Sequence, residues 1–248
     1  MSDQDAQHRG VDPDDDLGRF GAIDAWIFDL DDTLYSISPQ LGAMFDARMR
    51  SFIMEAVGLG EDEARVLQKD LFDRHGATAR GLMIEHGVAP DDFLDYVHDV
   101  DHGSIAPDPR LSEAIAALPG RRFVLTNSPR RHAERVLEQI GADAHFEEIF
   151  DFVRSGRQSK PHPDVYDRIV AETGVAPGTT AIFEDMARNL VEPQRLGMTT
   201  VLVVPPRTRT LFRGDWDLEA GPHPAADFIT EDLAGFLGAV YAEIERAN

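Results

Sequence analysis

The sequence predicts an α/β fold, in which helices cross over a parallel sheet and an all-helical segment follows the first strand. Two observations predict the sheet: short apolar runs recur along the 248 residues, and turn residues and helical patterns separate most of them. A third observation predicts the inserted segment. Between residues 33 and 108 the apolar side chains recur at helical spacing and no strand pattern is present.

Six apolar runs are interpreted as buried parallel strands. Continuous apolar runs of this length are typical of strands that helices cover on both faces. The predicted strands are residues 25–28, 122–125, 148–153, 180–183, 200–204 and 227–229.

Two helix positions can be predicted from local signals. Ser128 followed by Pro129 predicts a helix start, with the serine as N-cap and the proline at the first helical position. A C-terminal amphipathic helix is expected after Thr230, because one helical face carries Leu233, Phe236, Leu237, Val240, Tyr241 and Ile244.

The predicted domain organisation comprises a tail, a core and a cap. Residues 1–20 are polar and acidic, so we expect a disordered tail there. Residues 21–36 and 106–248 are expected to form the α/β core. Residues 37–105 are expected to form the helical cap.

The composition limits the classes of partner. A net charge of -21 without a basic run argues against DNA, RNA and anionic membranes as partners. The absence of cysteine excludes disulfides and thiolate metal sites. We find no signal peptide and no apolar stretch of membrane-spanning length, so a cytoplasmic protein, monomeric or weakly oligomeric, is expected.

The most informative segment is residues 27–35, Ile-Phe-Asp-Leu-Asp-Asp-Thr-Leu-Tyr. Asp29 and Asp31 lie two residues apart at the end of a predicted buried strand. Burying two such carboxylates costs several kcal/mol through repulsion and desolvation unless a cation lies between them. Mg²⁺ is the simplest candidate, because it binds a few carboxylates and leaves room for a substrate phosphate.

Four polar clusters follow separate predicted strands or the loops after them. Open α/β sheets bind their ligands at the carboxyl ends of the strands, so these clusters are expected to converge. They are Asp29–Thr33, Thr126–Ser128, Ser159–Pro161, and Glu184 with Asp185, the last followed by Asn189 one turn into the next helix.

The residue types in these clusters suit phosphoryl transfer to water. Asp29 can act as a nucleophile that forms an aspartyl-phosphate, and Asp31 as the general acid/base. Mg²⁺ would neutralise the charge of the transferring group. The expected metal ligands are Asp29, Asp31, Asp185 and Glu184.

Other residues in the clusters are expected to contact the substrate. Thr126 can hydrogen-bond a phosphoryl oxygen beside a helix N-terminus, and Lys160 supplies a compact positive charge. The expected substrate-binding residues are Thr33, Asn127, Ser128 and, in the cap, Arg80.

These motifs resemble those of the haloacid dehalogenase-like hydrolases. That family carries Asp-x-Asp-x-Thr, a Thr or Ser after the second strand, a distant Lys and an acidic pair. Matching positions here are Asp29, Asp31, Thr33, Thr126, Lys160, Glu184 and Asp185. The resemblance covers residues 22–205 and implies a Rossmann-like, doubly wound core with a helical cap.

Within that family the chain is similar to the pyrimidine 5'-nucleotidase branch. The similar segments are residues 28–35, 75–82, 126–128 with His132, and 160–161. The resemblance implies Mg²⁺-dependent hydrolysis of nucleoside monophosphates such as UMP and CMP. A carboxylate at Asp31 argues for ester hydrolysis, because the family's dehalogenases and phosphonatases lack one there.

Two alternative functions remain open. The same core could serve a sugar-phosphate or phosphoglycolate phosphatase or a phosphomutase, and a catalytically idle interaction scaffold would also keep the fold.

Several single residues also have two readings. Arg80 could pair with the leaving moiety or be a surface arginine, and Lys69 is expected on a helix surface rather than as a cap lysine. His132 could face the site or be solvated. A last group resembles a metal site in composition but is read as a polar hinge: His98, Asp99, Asp101 and His102.

Overall fold

In a computed structural model of the protein, which describes residues 16–204 and 224–247, the predicted α/β fold is confirmed. The described residues form a six-stranded parallel sheet with the order β3-β2-β1-β4-β5-β6. The first strand therefore lies inside the sheet, between β2 and β4. The strands are Ala25–Phe28 (β1), Arg121–Leu125 (β2), Glu148–Phe150 (β3), Thr180–Glu184 (β4), Thr199–Val203 (β5) and Phe228–Thr230 (β6).

Helices connect these strands and also fill the segment between β1 and β2. That segment contains Pro39–Ile53 (α1), Glu61–His75 (α2), Thr78–His86 (α3) and Pro90–His98 (α4), which together we call the helical insert. The core helices are Pro109–Ala117 (α5), Arg130–Ile140 (α6), Pro163–Thr173 (α7), Val191–Leu196 (α8) and Leu233–Ala247 (α9). Shorter helical turns are Leu17–Ala22, Met54–Gly58, Asp143–His145, Pro177–Thr179 and Ala187–Leu190.

The sheet is buried on both faces, as the continuous apolar runs predict. Alternate residues of a strand point to opposite faces, and in β1 Trp26 and Phe28 belong to one apolar cluster while Ile27 belongs to the other. The first cluster contains residues of α5, α6, α9 and the insert. The second contains residues of α7, such as Ile169. Helices thus cover both faces, which makes the sheet doubly wound.

The N-terminal segment is ordered earlier than the sequence suggests. Residues 1–15 of the expected disordered tail lie outside the described residues, but Leu17–Ala22 forms a helical turn and Phe20 is fully buried. The Phe20 ring lies parallel to Trp26, with ring centroids 6.0 Å apart, and edge-on to Phe236 of α9. The expectation of disorder to residue 20 is therefore wrong at its end, because distant aromatic residues bury Phe20.

The third strand is shorter than predicted. β3 ends at Phe150, and the Asp151 carboxylate then accepts hydrogen bonds from the backbone N–H groups of Arg130 and Arg154. These bonds turn the chain away from the sheet, so the expected continuation to Val153 does not form.

The helix after β2 begins one residue later than predicted. Its first residue is Arg130, its N-cap is Pro129, and no side chain caps it. Ser128 is not the N-cap, because its hydroxyl is engaged elsewhere in the site, as described below.

No helix among residues 16–204 and 224–247 is both long enough and apolar enough to cross a membrane.

Candidate active site

The end of β1 and the end of β4 bring three carboxylates together. The two strands pair in parallel with Phe28 opposite Phe183, and the Asp29 N–H donates to the Phe183 carbonyl at 2.9 Å. The residues that follow, Asp29 on one strand and Glu184 and Asp185 on the other, therefore emerge side by side. One carboxylate oxygen from each lies within 4.8 Å of the others, and all three residues are buried.

A buried ion pair crosses this cluster. The Lys160 ammonium donates to Asp29 Oδ1 and to Glu184 Oε2, each at 2.6 Å, and the lysine is 3% exposed. The second Glu184 oxygen accepts from the Met186 N–H at 3.1 Å. Both oxygens of Glu184 are thus occupied, and its main contact is with the lysine.

The charge and donor set of the cluster fit a divalent metal ion. When all three carboxylates are ionised, the single ammonium leaves an excess of two negative charges. Carboxylate oxygens are the ligands that Mg²⁺ and Ca²⁺ prefer. Asn189, four residues after Asp185, has a buried Oδ1 without a hydrogen-bond partner among the described residues, so a further oxygen donor is present nearby in the chain.

Titration of the cluster points the same way. Burial and the neighbouring Glu184 carboxylate raise the pKa of Asp29, against the opposing effect of Lys160. Burial disfavours the charged ammonium, but Asp29 and Glu184 outweigh it and raise the pKa of Lys160. The lysine therefore stays protonated, and a further positive charge beside Asp29 would favour the ionised form of that carboxyl group.

Asp31 points away from the carboxylate cluster. Its Oδ1 accepts from the Tyr35 hydroxyl at 2.7 Å and lies 2.9 Å from His132 Nε2, and its Oδ2 accepts from the Ser128 hydroxyl at 2.6 Å. This arrangement does not support the expectation that the Asp31 side chain is a metal ligand, because Tyr35, Ser128 and His132 already hold its carboxylate.

These donors stabilise the ionised form of Asp31. Although burial opposes the charged form, the charge and hydrogen bond of His132 and the hydrogen bonds of Ser128 and Tyr35 hold the pKa of Asp31 well below its usual range. The surroundings therefore raise the pKa of Asp29 and lower the pKa of Asp31. Carboxylates in such contrasting environments are typical of sites where two acids have different tasks.

Two threonines complete the site around Asp29. The Thr33 hydroxyl donates to Asp29 Oδ2 at 3.4 Å. The Thr126 hydroxyl, 1% exposed, accepts from the Ser128 N–H at 3.0 Å, which leaves its own proton able to donate to a bound anion.

Asn127 holds the backbone of Lys160 rather than pointing at a substrate. Its Oδ1 accepts from the Lys160 N–H at 2.8 Å, and its Nδ2 donates to the Lys160 carbonyl at 3.4 Å. Both ends of this amide are used to position the lysine, so its expected substrate contact does not follow from the geometry.

The helical insert contacts the core directly at the Lys160 loop. Gly76 ends α2 with φ +77°, and a Cβ atom placed on it would lie 2.3 Å from the Lys160 carbonyl oxygen. The Ser159 hydroxyl donates to the His75 carbonyl at 2.7 Å. Only a glycine permits this close approach of the two backbones, so the insert packs against the loop that carries the lysine.

Two cations of the insert differ in their surroundings. Arg80 of α3 has a buried Nη1 without a hydrogen-bond partner among the described residues, and burial lowers its pKa against the effect of Asp164. Lys69 of α2 is exposed, as its predicted helix-surface role requires.

Sequence reasoning gave no role to Tyr35 and left His132 with two readings. The structure places both on Asp31, and His132 is 1% exposed, so the solvated reading of His132 is wrong. Tyr35 lies four residues after Asp31 in the most informative segment, and this spacing was the available signal.

The buried position of His98 predicts that the protein loses stability in acid. Burial and the nearby His132 lower its pKa to about 3, with His102 acting in the same sense and Asp31 opposing. Since an unfolded histidine takes up a proton below about pH 6.5, stability contributed by neutral His98 is lost as the pH falls from there towards 3.

The free energy of unfolding should fall between pH 7 and pH 4 in both proteins. We expect this fall to be about 1–2 kcal/mol smaller in His98→Phe than in the wild type. Urea denaturation at several pH values measures this difference. Parallel pH dependences for the two proteins would contradict the neutral state of His98.

The chain is similar to several known proteins. A family model described as haloacid dehalogenase-like hydrolase matches residues 23–190. Phosphate metabolism protein 8 of Saccharomyces cerevisiae is 24% identical over 208 residues, which are 77% of this chain and 63% of that protein, so the chain spans less than two thirds of this relative. Phosphorylated carbohydrates phosphatase of Thermotoga maritima is 24% identical over 208 residues, 80% of this chain and 92% of that protein.

A solved structure has the same fold. L-2-haloacid dehalogenase from Xanthobacter autotrophicus aligns with a TM-score of 0.56 and 20% identity, covering 88% of this chain and 98% of that chain. At this identity the similarity establishes the fold alone.

Proposed function

Because this chain belongs to the haloacid dehalogenase-like hydrolase family, we propose that it is a Mg²⁺-dependent phosphomonoester hydrolase that acts through an aspartyl-phosphate. The observation that carries the proposal is the pairing of two dissimilar carboxylates. Asp29 lies in the acidic cluster against Lys160, whereas Asp31 is held apart from it by three donors.

The residues of the site divide the work of the reaction. Asp29 would attack phosphorus, and Lys160 and Thr126 would stabilise the negative charge on the phosphoryl oxygens. Asp31 would donate a proton to the leaving oxygen and then accept one from the attacking water. Asp29 and Asp185 would hold Mg²⁺, with Glu184 serving mainly to position Lys160; the bound ion supplies charge neutralisation.

The Asp31 carboxylate favours ester hydrolysis over dehalogenation. A halide departs without a proton, whereas an alkoxide leaving group needs one. A carboxyl group held in place by three hydrogen-bond donors has a role in a reaction with proton transfer, but not in one without it. We therefore propose phosphatase chemistry although the solved neighbour described above is named a dehalogenase.

A nucleoside 5'-monophosphate is the leading substrate, as the resemblance of residues 75–82 and of 126–128 with His132 to pyrimidine 5'-nucleotidases implies. Arg80, whose buried Nη1 has no partner among the described residues, is a candidate contact for the leaving moiety. The second candidate is a sugar phosphate. It is favoured by the Thermotoga maritima relative, whose name refers to phosphorylated carbohydrates and of which the alignment covers 92%.

A panel of phosphomonoesters with Mg²⁺ and an EDTA control tests the proposal. We expect UMP and CMP to be hydrolysed faster than simple sugar phosphates, and EDTA to lower the rate by at least about 10²-fold, reversibly on addition of excess Mg²⁺. Faster hydrolysis of sugar phosphates would favour the second candidate. Absence of phosphate release from every ester, or release of chloride from 2-chloropropionate, would contradict the phosphatase proposal.

A further inference from the structure

The His132 side chain lies where the core meets the helical insert. It belongs to the first turn of α6, and its ring is surrounded by aromatic and imidazole rings of the insert. The Phe45 ring of α1 lies edge-on to it at 5.6 Å between centroids, and the His98 ring of α4 lies at 4.8 Å. The insert therefore restricts the orientation of this imidazole.

Both nitrogens of His132 have a partner. Nε2 lies 2.9 Å from Asp31 Oδ1, and Nδ1 lies 2.8 Å from Nε2 of His102. His102 belongs to the segment between α4 and α5, through which the chain returns from the insert to the core, and it is 6% exposed. A continuous hydrogen-bonded chain thus runs from this return segment through His132 to Asp31.

The two partners of His132 hold its ring from both sides. When Asp31 is ionised its carboxylate only accepts hydrogen bonds, so His132 donates to it from Nε2. At the other side, Nδ1 of His132 is hydrogen-bonded to Nε2 of His102. His102 thereby fixes the orientation of the His132 ring, as the second partner of a functional histidine does in other sites.

The three neighbouring histidines, His98, His102 and His132, are not arranged as a metal site. The acidic cluster of Asp29, Glu184 and Asp185 is the group of converging ligands found in the described part of the chain. His98 binds the Leu94 carbonyl through Nδ1. The contacts of His132 are instead with a carboxylate and with a second imidazole.

We propose that His132, held by His102, is a positioning residue that keeps the Asp31 carboxyl group in the orientation required for proton transfer to the leaving oxygen. The inference rests on the proposed function, since it assigns His132 a role through Asp31 as the acid/base.

The proton transfer that His132 assists is balanced over two steps. Before the first step Asp31 takes up a proton from solvent. The bond between Asp29 and phosphorus then forms, the bond to the leaving oxygen breaks, and this proton passes from Asp31 to that oxygen. The carboxylate left behind is stabilised by the N–H of His132 and by the hydroxyls of Tyr35 and Ser128. In the second step water attacks phosphorus, Asp29 is released, and Asp31 takes the proton of that water and returns it to solvent.

The proposal predicts an effect that depends on the leaving group. Phenyl phosphate and p-nitrophenyl phosphate have nearly the same shape, but phenolate is the stronger base and needs the proton more. Loss of the His132 contact should therefore lower kcat/KM for phenyl phosphate more than for p-nitrophenyl phosphate. A merely structural change would lower both equally.

The test is the ratio of kcat/KM for phenyl phosphate to kcat/KM for p-nitrophenyl phosphate, measured in the wild type, His132→Phe, His102→Leu and His132→Gln. We expect this ratio to fall about tenfold in His132→Phe and in His102→Leu, which is part of the 10²- to 10⁴-fold contribution of a general acid. His132→Gln, whose amide can still donate to Asp31, should restore most of it. His102→Leu leaves His132 in place and carries the test if His132→Phe does not fold.

His98→Phe is the matched control, because His98 packs on the same ring without joining the hydrogen-bonded chain. Its ratio should equal that of the wild type. An unchanged ratio in both His132→Phe and His102→Leu, or an equal fall in His98→Phe, would overturn the inference while leaving the proposed function intact. A wild-type protein that hydrolyses neither ester would instead overturn the proposed function, and the inference with it.

Discussion

Replacing Asp29 with Asn is expected to lower kcat for every phosphomonoester by at least about 10⁴-fold, because the variant lacks the nucleophile and a metal ligand. The amide has nearly the shape of the carboxylate, and its oxygen can still accept from the Lys160 ammonium. The fold should therefore be retained.

The same substitution is expected to raise stability when Mg²⁺ is absent. Burial and Glu184 raise the pKa of Asp29, so its ionised form is unfavourable in the folded protein at neutral pH. An aspartate with a raised folded pKa opposes folding above its unfolded pKa of about 4, and this opposition grows until the pH passes the folded value. Lys160 keeps Glu184 as its ion-pair partner in this variant, so removing the Asp29 charge should add about 1–2 kcal/mol at pH 7 in EDTA.

Asp24→Asn is the matched control for Asp29→Asn. Asp24 lies just before β1, at the opposite end of the same strand, and is exposed. Activity assays and urea denaturation of both variants should show unchanged activity for Asp24→Asn. Turnover by Asp29→Asn above about one hundredth of the wild-type rate would contradict its role as nucleophile.

Replacing Lys160 with Met has the largest expected effect on stability. Lys160 is 3% exposed and is the cation that Asp29 and Glu184 both contact at 2.6 Å. Removing one partner of a buried ion pair leaves uncompensated charge and costs about 3–5 kcal/mol. The loss of a cation on the transferring phosphoryl group should also lower kcat by about 10²- to 10³-fold.

The chain contains its own control for this change. Lys69 is the only other lysine, and it is exposed on α2. Urea denaturation in EDTA and hydrolysis assays in Mg²⁺ should show Lys69→Met to be close to the wild type. Mg²⁺ should recover part of the stability lost in Lys160→Met, because it supplies positive charge to the same carboxylates. Wild-type stability and rate in Lys160→Met would contradict the ion-pair account.

Those parts of the site that depend on local spacing could be predicted from the sequence. Asp29, Glu184 and Asp185 each follow an apolar run, and neighbouring parallel strands end at the same edge of the sheet. Their convergence therefore follows once the runs are assigned as strands. The fold class follows from the same runs, since strands separated by helical patterns form parallel sheets.

The contacts that depend on tertiary packing could not be predicted in the same way. The direction of the Asp31 side chain is set by Ser128 and His132, which are 97 and 101 residues away. The burial of Phe20 depends on Phe236 of the last helix. No spacing rule connects residues so far apart in the chain, so the close spacing of Asp29 and Asp31 suggested a metal ligand in the first case, and composition suggested a disordered tail in the second.

Asp29 is expected to become covalently phosphorylated during turnover, and rapid acid quenching followed by peptide mass spectrometry detects this modification. With Mg²⁺ and a phosphomonoester that the protein hydrolyses, the peptide containing Asp29 should gain the mass of one phosphoryl group, and the same peptide from Asp24→Asn should gain it too. Steady hydrolysis without phosphoryl mass on that peptide, or with the phosphoryl group on another residue, would contradict the account.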